Sequence, residues 1–205
     1  MRITDVAKNL LIINVLFFLA GLIFGNEQML DLLALHYPAS PLFKPIQLAT
    51  HFFMHGGMLH LFFNMFALVL FGSSLEALWG AQKFLFFYFA CAIGAAALHM
   101  GFTWWEMSSI EEAMAVFKAV PNYANFDNFL EASRMNRDFL NQDALNQMSR
   151  GMTPQMIGEA SNVINEIYNG KLNIPMVGAS GAIYGLLLAF GMLFPERELM
   201  LIFLP

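Results

Sequence analysis

Four apolar runs dominate this sequence, at residues 10–25, 48–71, 84–102 and 174–194. Each is long enough, or nearly so, to cross the hydrocarbon layer of a bilayer, which takes about 20 helical residues. A fifth run begins at Leu199 and reaches only Pro205, too short to span, so the chain is expected to be cut inside an element. Composition agrees with lipid as the solvent. Apolar residues make up 58% and charged residues 12%, against roughly 45–50% and about 25% in soluble domains. The expected fold class is all-α, a polytopic transmembrane helical bundle. Ten Lys and Arg against 15 acids, with no basic run, argue against a nucleic-acid module. The single Cys91 lies in an apolar run, which excludes a disulfide framework and a cysteine-based zinc site.

The charges are unevenly placed. Residues 101–171 carry nine acids and five basic residues, 14 of the 25 formal charges. One membrane domain, residues 1–205, is therefore expected to contain a polar helical insertion, residues 103–173, between its third and fourth helices. Ser108-Ser109-Ile110-Glu111 has capping-box spacing and predicts a helix start, with Pro121 as its stop. Residues 129–148 are expected to be helical but less regular. Thr153-Pro154 reads as N-cap and N1 of a further helix with Ile157, Ala160, Ser161, Ile164, Ile167 and Tyr168 on one face and Gly170 just past its end. The expectation for the insertion is a small helical cap that packs on itself or lies on the membrane surface. Arg2 and Lys8 predict a cytoplasmic N-terminus. Gly21 and Gly25, a small-xxx-small pair suited to helix packing, favour an anchor over a cleaved signal peptide.

Ionisable and hydrogen-bonding side chains inside a spanning helix are costly and mark function by default. The second run holds His51, His55, His60 and Asn64. His60 and Asn64 are i and i+4, so they stack on one helical face, and His51 and His55 are expected to share that relation nearer the outer end. Such a stripe serves either as glue between helices or as a set of donors aimed at developing negative charge. The fourth run supplies a counterpart. Ser180 sits among Gly178, Ala179, Gly181, Ala182 and Gly185, small residues that let another backbone approach closely. It is expected about one turn into a helix that starts at Pro175. Of the remaining imidazoles, His36 is expected in solvent and His99 packed as a lone polar residue on the third helix.

Gly178-Ala179-Ser180-Gly181, preceded by a helix carrying His60-x-x-x-Asn64, resembles the rhomboid intramembrane serine proteases. The stretches Gln47-Leu48-Ala49-Thr50-His51 and Phe53-Met54-His55-Gly56 agree, as do His60-Leu61-Phe62-Phe63-Asn64-Met65, the trio Gly72, Glu76 and Gly80, and Tyr184 four residues after the serine. The resemblance runs from Leu10 to about Leu204, apart from the insertion. It implies that Ser180 is the nucleophile and that His60 and Asn64 join the Ser180 backbone N–H in an oxyanion hole. It also implies that Tyr184 packs beneath the catalytic imidazole, that His55 supports the loop near the site, and that Gly178 belongs to the serine motif. The implied substrates are transmembrane segments of membrane proteins whose helix is locally weak. No cofactor and no metal are implied, the partners are such substrates and the lipid bilayer, and the implied location is a bacterial inner (plasma) membrane. The oligomeric state is left open.

The sequence departs from that family in one important respect. The family's general base is a histidine on a sixth helix, and this chain barely starts a fifth. The expectation is a truncated rhomboid, inactive in this form because a serine needs a base within about 2.6–3.2 Å. The insertion, and Ile46 where the family often has tryptophan, bear on substrate choice. Two rivals stand beside the protease. One is a rhomboid-like protein that binds membrane clients without cleaving them. The other is a metal or haem protein using His51, His55 and His60, disfavoured because His55 and His60 are five apart.

Overall fold

The first apolar run becomes α1, Asp5–Phe24, in a computed structural model that describes residues 2–196. Its 20 residues give about 30 Å of helix, enough to span. Ala7, Leu10, Asn14 and Gly21 form its buried stripe, while Leu16, Leu22 and Ile23 are exposed to where lipid would lie. α1 has no cap from its own neighbours. Instead the carboxylate of Glu76, 70 residues away, accepts the backbone N–H groups of Val6 and Ala7 at 3.0 and 2.9 Å and the Thr4 hydroxyl. A negative charge here offsets both the unpaired first-turn donors and the positive end of the helix dipole. Glu76 is itself buried. Glu76→Gln is therefore expected to cost about 1–3 kcal/mol, read as a lower thermal midpoint in detergent; Thr4→Val, which leaves the carboxylate on two backbone donors, is expected to cost less.

Gly25, at φ +98°, turns the chain from α1 into α2, Asn26–Leu33. The second apolar run then departs from expectation. Gln47–Thr50 is a short helix, His51–Phe53 a 3₁₀ turn, and Met54 is extended. The spanning helix α3, Met58–Trp79, starts only after Gly56 and Gly57. It contains a π turn at Leu68–Gly72. A Cβ on Gly72 would lie 3.1 Å from Leu68 Cδ1 and 3.3 Å from Phe84 Cζ, so the absence of a side chain there lets the next helix pack closely. Gly80, at φ +78°, ends α3.

α4 is a single helix, Ala81–Ala119, of 39 residues. Ser108 and Ser109 lie in its interior rather than at a helix start. Their hydroxyls donate to the Trp104 and Trp105 carbonyls at 2.8 and 3.4 Å, the i−4 bonding that satisfies a serine mid-helix. The helix ends before Pro121, as expected. It is followed by α5, Tyr123–Ala132, a 3₁₀ turn at Arg137–Phe139, α6, Gln142–Arg150, and α7, Pro154–Leu172. Each of these helices carries its own N-cap: Asn122 accepts from Asn125 N–H, Asn141 from Ala144 N–H, and Thr153 from Met156 N–H. α7 runs past Gly170, which is helical, to a cap at Asn173.

The chain divides into two compact units. The first is made of residues up to Leu35, Lys44–Leu98 and the chain from Pro175 onward. Leu68, Leu75, Phe84, Tyr88, Ala182 and Leu186 form the centre of its core. The second takes His36–Phe43 and His99–Ile174. It has a separate core in which Ile110, Phe117, Phe129, Leu130, Ala160 and Ile164 are fully buried, so the helical cap does pack on itself. Tyr37 joins that core, and Ser40 Oγ donates to Asn173 Oδ1 at 2.6 Å. His36 is buried there rather than solvated, and His99 on α4 is exposed rather than packed.

The fourth apolar run is not helical from its start. Leu35 and Met176 form an antiparallel bridge, with paired backbone bonds of 3.0 and 2.8 Å. That holds the chain after Pro175 extended, and the helix α8 is Ser180–Leu193, an apolar helix of 14 residues. Three helices are long and apolar enough to cross a membrane among the described residues, with α8 a shorter apolar one. The fifth run, from Leu199, lies outside the described residues.

Candidate active site

Ser180 is the first residue of α8, not one turn inside it. The cause lies in the residues before it. Gly178 N–H donates to the His51 carbonyl at 2.9 Å, and Gly178 has φ +97°. This left-handed residue swings the chain out of the extended segment and straight into the helix. A Cβ at this position would lie 3.0 Å from His60 Cε1 and 3.1 Å from His60 Nε2. Glycine is thus required twice, for its backbone and for the imidazole it admits. The consequence is chemical. The first N–H groups of a helix have no intrahelical acceptor and carry its positive end, and Ser180 stands among them.

α3 delivers the partners. His60 and Asn64, one turn apart, present polar groups on the face toward α8. His60 Nε2 is 2.9 Å from Ser180 Oγ, and Asn64 Nδ2 is 3.5 Å from it. Asn64 Nδ2 also donates to the His60 carbonyl at 3.0 Å, which fixes the carboxamide. The site opens on a cleft of about 460 Å³ whose walls include Phe63, Ala67, Ile183 and Tyr184. Tyr184 is 73% exposed and lines this cleft one turn after Ser180; among the described residues no second imidazole rests on it. A polar trio at the foot of an apolar, open groove can receive an extended peptide and place donors around one of its carbonyls.

His51 and His55 do not share a helical face. His51 lies in the 3₁₀ turn with Nδ1 2.7 Å from the Gln47 carbonyl, and His55 lies in the loop with Nδ1 3.3 Å from the Phe53 carbonyl. Both are buried, and the His55 ring meets the His60 ring edge-on at 5.1 Å. The run reads as continuous because its loop is apolar; Gly56-Gly57 is the break. Among the described residues, no group of three or more His, Cys, Asp or Glu is arranged to hold a metal ion.

A family model described as the rhomboid domain matches residues 43–110. That match supports a rhomboid family protein. The match and the three long apolar helices support an integral membrane protein built as a helical membrane bundle. The matched segment holds His55, His60, Asn64 and Glu76 and ends 70 residues before Ser180. No curated protein and no solved structure matches the chain. The residue that caps α1 had no chemical reading in sequence beyond its place in the family pattern. Glu76 looks like an ordinary helix-surface acid, and only the fold brings the start of α1 to it.

Proposed function

We propose that this protein is a rhomboid-type intramembrane serine endopeptidase acting on transmembrane segments of other membrane proteins. The observation that carries the proposal is the convergence of His60 Nε2 and Asn64 Nδ2 on Ser180 Oγ at a helix N-terminus. Ser180 Oγ attacks a peptide carbonyl, and the carbonyl oxygen takes on negative charge as the C–O bond forms. His60 Nε2–H, Asn64 Nδ2–H and the Ser180 backbone N–H then stabilise that charge as an oxyanion hole. Gly178 keeps the space His60 needs, His55 braces the loop against the His60 ring, and Tyr184 forms the cleft wall. The substrate must present its scissile bond as extended chain. A helix that unwinds cheaply near its end is favoured, because freed backbone groups are costly in lipid. No cofactor takes part. In this reading the protein sits in a bacterial inner membrane, with Arg2 and Lys8 favouring a cytoplasmic N-terminus.

The serine proton needs an acceptor. A His60 Nε2–H committed to the oxyanion cannot also accept that proton, and among the described residues no other imidazole reaches Ser180. The 205-residue polypeptide is therefore expected to be inert alone and to regain reactivity when imidazole in solution supplies the base. A fluorophosphonate probe tests this. Labelling should rise with imidazole concentration and vanish in Ser180→Ala. Labelling that persists in Ser180→Ala rejects the assigned nucleophile. No labelling at any imidazole concentration favours the client-binding rhomboid-like protein.

A further inference from the structure

α5 ends in an unusual way. Its cap is Ser133, and the next two residues close a Schellman motif: Arg134 N–H donates to the Glu131 carbonyl at 2.9 Å and Met135 N–H to the Leu130 carbonyl at 3.1 Å. The left-handed position of that motif normally holds glycine. Here it holds Arg134 at φ +50°, the one non-glycine residue with positive φ among the described residues. The conformation aims the guanidinium at two rings. Its Cζ lies 5.9 Å from the Phe102 ring centre and 5.8 Å from that of Trp105, and the two rings are 5.7 Å apart.

Three features say what this cluster faces. Phe102, Trp104 and Trp105 are 49%, 63% and 54% exposed, a large apolar area for a helix end in water. Arg134 has no carboxylate within ion-pair distance among the described residues, and nearby Glu106 is neutralised by Lys171 Nζ at 2.7 Å. The third feature is the register along α4. Lys83 and Glu106 bracket a stretch without any Asp, Glu, Lys or Arg, and counting about 20 residues from Phe84, one hydrocarbon thickness, ends beside Trp104. The start of that stretch carries a matching pair, Lys83 Nζ 5.4 Å from the Trp79 ring. Tryptophan is enriched at the membrane–water boundary.

We propose that Arg134, Phe102 and Trp105 form a phospholipid headgroup site, with the guanidinium on the phosphodiester and the rings against the glycerol and upper acyl region. Arginine suits the task because its planar fork of donors stacks on aromatic faces and still binds phosphate. The occupant is a lipid of the surrounding leaflet, not free phosphate.

The test uses the full 205-residue chain in detergent, titrated with phosphatidylglycerol and followed by native mass spectrometry. Arg134→Gly is the informative variant, since its backbone position accepts glycine without strain and its thermal midpoint should not fall. One phosphatidylglycerol adduct should bind about tenfold more weakly in this variant, the loss of one charge-assisted contact. Diacylglycerol, which lacks the phosphate, and inorganic phosphate should not displace it. Equal adduct occupancy in the two proteins overturns the proposal, as does displacement by inorganic phosphate. Tryptophan quenching in vesicles of phosphatidylcholine spin-labelled on the headgroup is the second readout. It should exceed quenching by aqueous iodide, and headgroup quenching should fall in a Trp104→Phe/Trp105→Phe double variant to the contribution of Trp79 alone. Stronger quenching by iodide overturns the proposal whatever the behaviour of Arg134→Gly.

Discussion

Asn64→Ala is expected to slow imidazole-supported labelling of Ser180 about 10²–10³-fold, the usual effect of removing one oxyanion donor, while the protein stays folded. The carboxamide touches Ser180 Oγ only at 3.5 Å in the resting site. Its value lies in the reacting state, where the phosphonyl oxygen of the probe stands in for the oxyanion. Its other bond, to the His60 carbonyl, is local, and losing it should cost only about 1 kcal/mol. A rate loss much larger than the stability loss is therefore the signature. His60 separates two roles by its substitutions. Glutamine keeps an N–H donor and cannot act as a base; alanine does neither. Labelling that is better preserved in His60→Gln than in His60→Ala marks His60 as a donor, and equal loss in both marks it as the base.

Gly181→Ala is expected to be a strongly damaging single-methyl change in the membrane unit. A Cβ there would fall on the Cβ of Ala95, on α4, and nothing at that point is the flexible end of a side chain. Overpacking of this kind costs about 1–3 kcal/mol. It also pushes α8 away at the residue after Ser180. A shift of about 1 Å at a reacting group is worth about 10²-fold in rate, so stability and labelling should fall together. The partner substitution supplies the check. With Ala95→Gly added, the next neighbours of the new Cβ are the Cys91 carbonyl oxygen at 3.7 Å and Ala95 Cα at 3.8 Å, ordinary contacts. The double variant should recover both properties. Gly191→Ala, on the same helix with nothing within 4 Å, should change neither.

The juxtaposition of the candidate residues was legible because it is written in local spacing. His60 and Asn64 at i and i+4 lie on a true helix, so their shared face follows from 3.6 residues per turn. The small residues around Ser180 announce a close helix contact in the same way, and Gly181 against Ala95 is that contact. Helix caps at Thr153 and the apolar face of α7 were readable for the same reason. What escaped depends on partners distant in sequence. The start of α8 moved from Pro175 to Ser180 because Met176 pairs with Leu35 and Gly178 with His51, and no property of residues 174–180 names those partners. Ser108-Ser109-Ile110-Glu111 has the residues of a capping box. A box works only where the chain enters the helix from extended backbone, and here the helix already runs through. Residues 48–57 look like membrane span because their loop is buried and so must be apolar. His51 and His55 thus gain a false helical relation.

The central claim is that the Ser180 hydroxyl and the His60 imidazole meet, and one measurement addresses it without relying on activity. Solid-state NMR of the 205-residue protein in lipid bilayers, with ¹⁵N-histidine and ¹³C-serine, reads through-space transfer between ring nitrogens and serine carbons. With Nε2 2.9 Å from Oγ, His60 Nε2 should correlate with Ser180 Cβ at under about 4.5 Å, and that cross-peak should be absent in His60→Gln and in Ser180→Ala. A spectrum in which the Ser180 Cβ signal is resolved but correlates with no histidine nitrogen would contradict the account, since the hydroxyl would then face lipid or packed side chains instead of the His60–Asn64 pair.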